Sequence, residues 1–467
     1  MQIGRKDLLW NYAATSMRIL SGIIVLPVTL RMLPSEDMGI WTLFLSLMTI
    51  TLLLDFGFSN SFSRNITYVY SGVKELKTKG YTVAETSEID YGLLKSILSA
   101  MKRYYGIAAL IFLVIFAAGS PFYLLSALEH YSGDKQTIWI AWFIFGGVLA
   151  YELYTYYYNA ILTGRGLVKR NTQILVVSQF VRIIVTIVLL LLDFGIISLV
   201  IGMLISDIVN RTLLYAVFFD KETKQNLSNS VLSVPVSEVI KLLAPNSIKL
   251  GLVFLSIFLR SKAIVLIAPA FLSLSEIAEY GISKQIVDLI ASLGVAWFFT
   301  FYPKLSQYSV QEKRNDIKRL YIKGTTALLL ITVVLGGLFI LLGNPILIFI
   351  HSKTLLLSGG YLFLMLLFMF LEQNQGIAQN VILAKNEVAF FKANIFSGVF
   401  SVLLLLVMFK YTSFGVLSLI LCTGLTMTAY LNWRLPFVLI KKLNLTLHDY
   451  ITVISQFWKE NKIHKTI

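Results

Sequence analysis

The chain has 467 residues, of which 57% are hydrophobic and only 14% are charged. A water-soluble domain carries about a quarter charged residues, so this composition excludes an ordinary soluble globular protein. The net charge of +15 is explained by basic loops that face anionic lipid headgroups, without nucleic acid as a partner.

Twelve apolar segments, each long enough to cross a bilayer, follow one another along the chain. The lipid interior offers no hydrogen-bond partner to an unpaired backbone group, so only helices and closed barrels cross it. These segments do not alternate polar with apolar residues, as barrel strands do. They are therefore predicted to be transmembrane α-helices and not barrel strands, which makes the fold class an all-α membrane protein. The predicted spans are 8–31, 38–66, 104–128, 136–163, 172–193, 195–219, 242–269, 278–302, 320–343, 355–384, 390–410 and 413–440.

Lysine and arginine are concentrated in alternate connections between these spans. Cytoplasmic loops carry the excess of basic residues, so the pattern places both termini in the cytoplasm. The expected location is a bacterial inner (cytoplasmic) membrane. The opposite side carries only four basic residues, which are Arg31, Lys135, Lys353 and Lys410.

Short motifs recur in the same order in the two halves. Residues 194–199 (FGIISL) recur as 414–419 (FGVLSL), and 159–162 (NAIL) recur as 380–383 (NVIL). A repeat of six helices returns the chain to its starting side, so the halves share one orientation about a pseudo-twofold axis along the membrane normal. The predicted organisation is an N-terminal six-helix lobe (1–225), a C-terminal six-helix lobe (236–440) and a cytoplasmic tail (441–467).

Charged side chains remain inside the predicted spans, where a charge near the bilayer centre costs at least ~2.5–3.5 kcal/mol. Basic residues on helices one and seven predict a cationic cavity, and the planar fork of arginine holds two diphosphate oxygens at once. The candidate diphosphate-binding residues are Arg18, Lys249, Arg260 and Lys262. The candidate ion-coupling acids are Asp55, Glu152, Asp288 and Glu372.

Structural interpretations compete with this functional one. Basic residues near helix ends can extend their charged groups to the headgroups. Lys284 and Asp288 have the i,i+4 spacing of a helical ion pair. Glu152, Arg182 and Asp207 are candidates for a buried network. The tyrosines between 151 and 158 are interpreted as packing residues and less readily as sugar-stacking ones.

No catalytic or metal-binding motif is found in the sequence. The four histidines are scattered without the spacing of metal ligands. No glycine-rich phosphate loop of the P-loop type occurs. We therefore predict that the protein is not an enzyme and that it needs neither a cofactor nor a metal.

Two motifs resemble a known family. Residues 33–41 (LPSEDMGIW) and 54–60 (LDFGFSN) resemble the signature of Wzx-type polysaccharide flippases, which belong to the multidrug/oligosaccharidyl-lipid/polysaccharide (MOP) exporter superfamily. The usual form is Pro-Glu-x-Tyr-Gly; here Ser35 intervenes and Met38 replaces the aromatic residue. The resemblance covers essentially the whole chain and implies a MATE-like fold.

The resemblance also implies a function. The expected substrate is an undecaprenyl-diphosphate-linked repeat unit of O-antigen or capsular polysaccharide, moved from the cytoplasmic to the periplasmic leaflet by alternating access. A proton or sodium gradient would supply the energy. Expected partners are this lipid-linked oligosaccharide, membrane lipids, and a polysaccharide polymerase with its chain-length regulator. Many family members carry an acid soon after the helix-seven arginine, whereas Arg260 is followed by Lys262.

Three other classes of protein remain as alternatives. A MATE-type drug/cation antiporter would carry more acidic than basic residues deep inside its predicted spans, but basic residues are more numerous there in this sequence. A polysaccharide polymerase or membrane glycosyltransferase would carry a sizeable outer loop, but the longest polar loop, near 68–102, is predicted to be cytoplasmic. A structural scaffold would have little reason to bury so many charges.

Overall fold

The computed structural model describes residues 24–77, 88–129, 131–301, 305, 308, 313–383, 391–453 and 455. These residues are α-helical, with no β-strand among them, so the all-α prediction is confirmed. Arg18 lies outside the described residues, and so does the side chain of Lys249.

The described residues fall into two compact units, Met1–Phe258 and Leu259–Ile467. A helical stretch over 24–32 begins the described part of the first unit. It is followed by α1 (Ser35–Asp55), α2 (Phe58–Tyr70), α3 (Tyr91–Ala127), α4 (Lys135–Thr155), α5 (Tyr157–Gly164), α6 (Val168–Leu191), α7 (Ile197–Phe218), α8 (Lys221–Asn229) and α9 (Val236–Phe258).

The second unit begins with an irregular stretch of helix. Its elements are a π-helical turn (Leu259–Ala263), α10 (Ile264–Ile267), a 3-10 turn (Ala268–Ala270), α11 (Leu274–Thr300), α12 (Arg314–Phe349), α13 (Gly359–Leu383), α14 (Phe391–Tyr411), α15 (Leu417–Ala429) and α16 (Leu431–Leu443).

Ten helices in the described part of the chain are long and apolar enough to cross a membrane. The predicted first span begins among residues that are not described. The predicted twelfth span is broken at Tyr430 (φ −142°, ψ −58°) into α15 and α16, each of 13 residues. The chain is thus a multi-pass membrane protein, and the count of twelve spans depends on these two segments.

The division between the compact units lies inside the predicted seventh helix, at residues 258 and 259. The polar connection near 226–235 was the predicted boundary. Helix α9 belongs to the first compact unit because it packs on α1, α2 and α3. For example, the Ser247 hydroxyl donates a hydrogen bond to the Ser61 hydroxyl at 2.9 Å. The two six-helix lobes, 1–225 and 236–440, stay a prediction.

The repeated motif forms the same turn in both units. Gly195 and Gly415 have left-handed φ values of +57° and +53°, a conformation that glycine adopts without steric cost. The backbone N–H of Ser198 donates to the Gly195 carbonyl at 3.2 Å, and that of Ser418 donates to the Gly415 carbonyl at 3.0 Å. The sequence repeat therefore corresponds to a repeated local geometry at the start of α7 and α15.

Aromatic residues fill the cores of both units. In the first unit, the Phe44 ring stacks on Phe145 and meets Trp142 edge-on, with ring centroids 4.7 and 5.1 Å apart. In the second unit, Phe298 of α11 and Tyr321 of α12 are almost completely buried, in a cluster that α13 and α16 complete. This second core fixes α11 and α13, which carry the charged residues described next.

Candidate functional site

The π-helical turn at Leu259–Ala263 carries two of the predicted basic residues, Arg260 and Lys262. A π turn interrupts the regular hydrogen-bond ladder of an α-helix and occurs often at functional sites. Here the Thr423 hydroxyl of α15 donates to the Arg260 carbonyl at 3.1 Å. A side chain from another helix therefore supports the irregular backbone.

A cavity of about 250 Å³ lies within the second unit, between the π turn and helices α11, α13, α15 and α16. Four of the predicted site residues line it together, and Lys284 joins them. The charged residues of its lining are Arg260, Lys262, Lys284, Asp288 and Glu372.

Arg260 is the most deeply buried of these charges, with 7% of its side chain exposed. Its Nη2 lies 3.2 Å from Oε1 of Glu372, whose side chain is 37% exposed. Its Nη1 donates to the hydroxyl of Ser397 on α14 at 3.3 Å. A buried guanidinium needs such partners because desolvation of an unpaired charge costs several kcal/mol.

The second pair in the cavity is Lys284 with Asp288, one turn apart on α11. The i,i+4 spacing predicted this ion pair, and the structure confirms it. Both side chains remain partly exposed.

Lys262 makes no hydrogen bond or ion pair within the described residues. The two acids of the cavity are each paired with another basic residue, so the described lining holds one positive charge more than it has negative ones. The Asn432 Oδ1 atom of α16 is buried beside the same cavity and accepts no hydrogen bond within the described residues. The site thus offers a free cation and a free acceptor, which suits a ligand that carries both an anionic group and hydrogen-bond donors.

Asp55 lies in the first unit and has a structural role there. Its Oδ1 accepts hydrogen bonds from the Tyr105 hydroxyl at 2.5 Å and from the Ser59 backbone N–H at 3.0 Å. The predicted second span breaks at Phe56 and Gly57, both with left-handed φ. The Asp55 carboxylate therefore caps the first turn of α2, where negative charge is favourable.

Glu152 also lies in the first unit, on α4. It is within electrostatic range of Arg182, Asp207 and Arg211, which brings together the members of the predicted buried network. Among the described residues, however, these charges form no direct ion pair, and Glu152 Oε2 is buried without a hydrogen-bond partner. Asp55 and Glu152 are not among the lining residues of the cavity that holds Asp288 and Glu372.

The tyrosines near Glu152 pack against each other. Tyr157 stacks on Tyr158 with ring centroids 4.5 Å apart and lies 6.2 Å from the Tyr105 ring. This geometry agrees with the packing interpretation of the tyrosine run. Ser397 and Thr423, by contrast, carried no recognisable sequence signal, since isolated hydroxyl residues are common and these two contact Arg260 only through the fold.

Neither a family model nor a curated protein matches this sequence. Among solved structures, an inward-facing multidrug resistance MATE family transporter of the MOP superfamily is similar, with a TM-score of 0.68, 13% identity, and coverage of 95% of this chain and 96% of that one.

The lipid II flippase MurJ in an inward closed conformation is also similar, with a TM-score of 0.63, 12% identity, and coverage of 96% of this chain and 89% of that one. A MOP superfamily transporter from Pyrococcus furiosus, described as having a binding pocket of reverse polarity, gives a TM-score of 0.51, 15% identity and coverage of 96% and 100%. These likenesses and the helical membrane spans show that the protein is an all-α membrane protein with the MATE fold.

Proposed function

We propose that this protein is a MOP-superfamily transporter and that it moves a lipid-linked oligosaccharide diphosphate from the cytoplasmic to the outer leaflet. The specific substrate we propose is an undecaprenyl-diphosphate-linked repeat unit of O-antigen or capsular polysaccharide. The observation that carries this proposal is the excess positive charge in the second-unit cavity, where three basic residues face two acids among the described residues. The fold shared with a lipid II flippase supports it.

The chemistry of the cavity suits a diphosphate in particular. An anion near Lys262 would neutralise a charge that is costly to hold inside a membrane. The guanidinium of Arg260 is fixed by Glu372 and Ser397, so it can orient a diphosphate oxygen at a defined place. Asn432 Oδ1 would accept a hydrogen bond from a sugar hydroxyl or amide beside that diphosphate.

The charge of the substrate also bears on its energy source. With the cell interior negative, each negative charge moved outward gains ~2.3 kcal/mol per 100 mV of membrane potential. An inward proton or sodium ion would add to this driving force. We propose Asp288 and Glu372 as its binding groups, since they are the acids of the cavity and both are partly exposed.

Binding of inorganic diphosphate to the purified protein tests the cavity directly. We expect Lys262→Gln to weaken this binding by about tenfold, since a charge-assisted hydrogen bond is lost. Lys410→Gln is the matched control, because Lys410 is an exposed lysine at the end of α14 and outside the cavity. Equal binding by wild type and Lys262→Gln would refute the site.

Depletion of the gene tests the function in the cell. Accumulation of undecaprenyl-diphosphate oligosaccharide, measured by mass spectrometry, together with loss of surface polysaccharide is the expected outcome. Single repeat units that still reach the surface while long polymer is missing would instead show a polymerase. Unchanged glycans would contradict a role in polysaccharide export.

A drug/cation antiporter is the second candidate, because the likeness to a MATE family transporter has a TM-score of 0.68. An organic cation would meet the unpaired Lys262, and like charges repel strongly where the dielectric is low. We therefore expect no saturable binding of ethidium by the purified protein. Saturable ethidium binding that diphosphate does not compete with would favour the antiporter.

A further inference from the structure

A second concave surface lies on the other side of α15 from the charged cavity. This α14–α15 groove has a volume of about 540 Å³, within the range of about 300–1,000 Å³ that is usual for ligand pockets. Among the residues that the structure describes, no charged side chain lines it. Its main apolar lining residues are Phe396, Phe400, Leu404, Leu425, Ala429 and Leu431.

The groove and the cavity share walls. Ser397 lines the groove and accepts the hydrogen bond from Arg260 Nη1, which lines the cavity. Along α15, Thr423 and Gly424 face the cavity, whereas Leu425 and Thr426 face the groove. One helix therefore separates a cationic site from an apolar one.

The two sites come together at the break between α15 and α16. The break is at Tyr430, which lines the groove together with Leu431. Met427 and Asn432, on either side of the break, line the cavity. Lining residues of both sites thus lie within 427–432, and a molecule that is charged at one end and apolar at the other would span the sites here.

We propose that the α14–α15 groove binds the isoprenoid chain of the substrate while the diphosphate occupies the cavity. This inference rests on the proposed function and assigns a site to the lipid part of the substrate. The described lining of the groove offers no charge to bind a phospholipid headgroup. An isoprenoid chain does not require such a charge, because its diphosphate lies in the cavity.

The physical role of the groove is to position the chain. The chain is already in hydrocarbon, so moving it from lipid to the groove gains little free energy from the hydrophobic effect. A bound chain instead stays in apolar surroundings while its diphosphate leaves the headgroup region and enters the cavity. This avoids drawing hydrocarbon into the polar site.

Photo-crosslinking in lipid nanodiscs tests the proposal with the full-length protein. The ligand is farnesyl diphosphate that carries a diazirine at the chain end, and a phospholipid with a diazirine on its acyl chain is the comparison. We expect saturable crosslinks from the prenyl ligand in peptides that contain 396–404 and 425–431. Excess undecaprenyl diphosphate should compete with them.

Two variants sharpen the test. Ala429→Phe fills the groove and should lower the saturable crosslinking about tenfold, as expected for overpacking of a fitted site. Ala118→Phe, on an exposed face of α3, is the matched control and should leave it unchanged. Arg260→Gln should also reduce crosslinking in the groove, because the diphosphate no longer holds the chain in place.

The possible outcomes distinguish failure of the groove assignment from failure of the proposed function. Prenyl crosslinks that spread over the exposed apolar helices as the phospholipid crosslinks do, and that Arg260→Gln and Ala429→Phe leave unchanged, would show ordinary surrounding lipid and overturn the groove alone. If wild-type protein bound no inorganic diphosphate, the proposed function itself would fail.

Discussion

Arg260 shows how the charged site depends on contacts between single residues. Its guanidinium and carbonyl are bound by Glu372, Ser397 and Thr423, which lie on three different helices. A buried ion pair of this kind adds little net stability, since desolvation offsets the attraction. Removal of one partner is nevertheless costly, because it leaves the other charge uncompensated in a low-dielectric site.

A double-mutant cycle on Arg260 and Glu372 measures this dependence. We expect Arg260→Met and Glu372→Met to be non-additive, with a coupling free energy of roughly 0.5–3 kcal/mol, since each single change leaves one charge without its partner. The measurement is the free energy of unfolding in mixed micelles.

The Arg165–Asp220 pair is the control for that cycle. Its side chains are 24% and 44% exposed, so water screens the pair and we expect a coupling of about 0–1 kcal/mol. Additive effects at Arg260 and Glu372, equal to those of the control pair, would contradict the buried-pair interpretation.

Substitutions of Asp55 can distinguish a structural role in capping α2 from a role in binding the driving ion. Asp55→Asn keeps an acceptor for the Ser59 N–H and the Tyr105 hydroxyl. We expect it to preserve stability and transport, whereas Asp55→Ala should lose about 1–2 kcal/mol because the cap of α2 is removed. Thermal unfolding and a flipping assay measure the two properties. Loss of transport in a stable Asp55→Asn protein would show instead that Asp55 couples the driving ion.

At the level of whole helices, the predicted spans and the observed helices differ mainly in where they begin and end. Hydropathy located the apolar part of each span but not its polar extensions. For example, α3 begins at Tyr91, not at the predicted residue 104, because Asp90 caps a polar turn by accepting the Leu93 N–H at 2.8 Å. Breaks such as the one at Phe56 and Gly57 were also missed, since an average of hydropathy contains no information on backbone dihedral angles.

Helices α2 and α5 pack closely at Gly164. A Cβ atom on Gly164 would lie 2.7 Å from both the Ile66 Cβ and the Ser63 carbonyl oxygen. We expect Gly164→Ala to destabilise the protein by about 1–3 kcal/mol, because the backbone of α2 must shift. The free energy of unfolding in micelles measures the effect.

Gly147→Ala is the matched control for this change. A Cβ atom there meets no other atom within 4 Å, and its place inside α4 favours alanine by roughly 0.5–1 kcal/mol. A neutral or stabilising Gly164→Ala would show that the two helices are less tightly packed than the structure indicates.

The whole molecule carries its charge in a pattern that predicts its orientation in the membrane. Basic connections alternate with nearly neutral ones along all predicted spans, and the positive-inside rule assigns the basic side to the cytoplasm. The orientation of the chain in the membrane can be tested directly.

Single cysteines report the orientation in intact cells. In a Cys422→Ala background, which removes the one native cysteine, we expect Ser413→Cys to react with a membrane-impermeant maleimide. Ser228→Cys should react only after the membrane is permeabilised. Both positions are exposed, so access to solvent is matched. The reverse labelling pattern would place the termini outside.

The sequence by itself determined the membrane class, the approximate spans and the Lys284–Asp288 pair. These depend on local composition, or on spacing within one helix, and both are readable along the chain. Tertiary structure alone decided the Arg260–Glu372 pair, 112 positions apart, and which of the candidate residues line the charged cavity. It also decided that Lys262 forms no ion pair among the described residues, and it formed the apolar groove beside α15. The physical reason is that the packing of helices in a membrane follows from side-chain shape across many helices, which no periodicity of a single helix encodes.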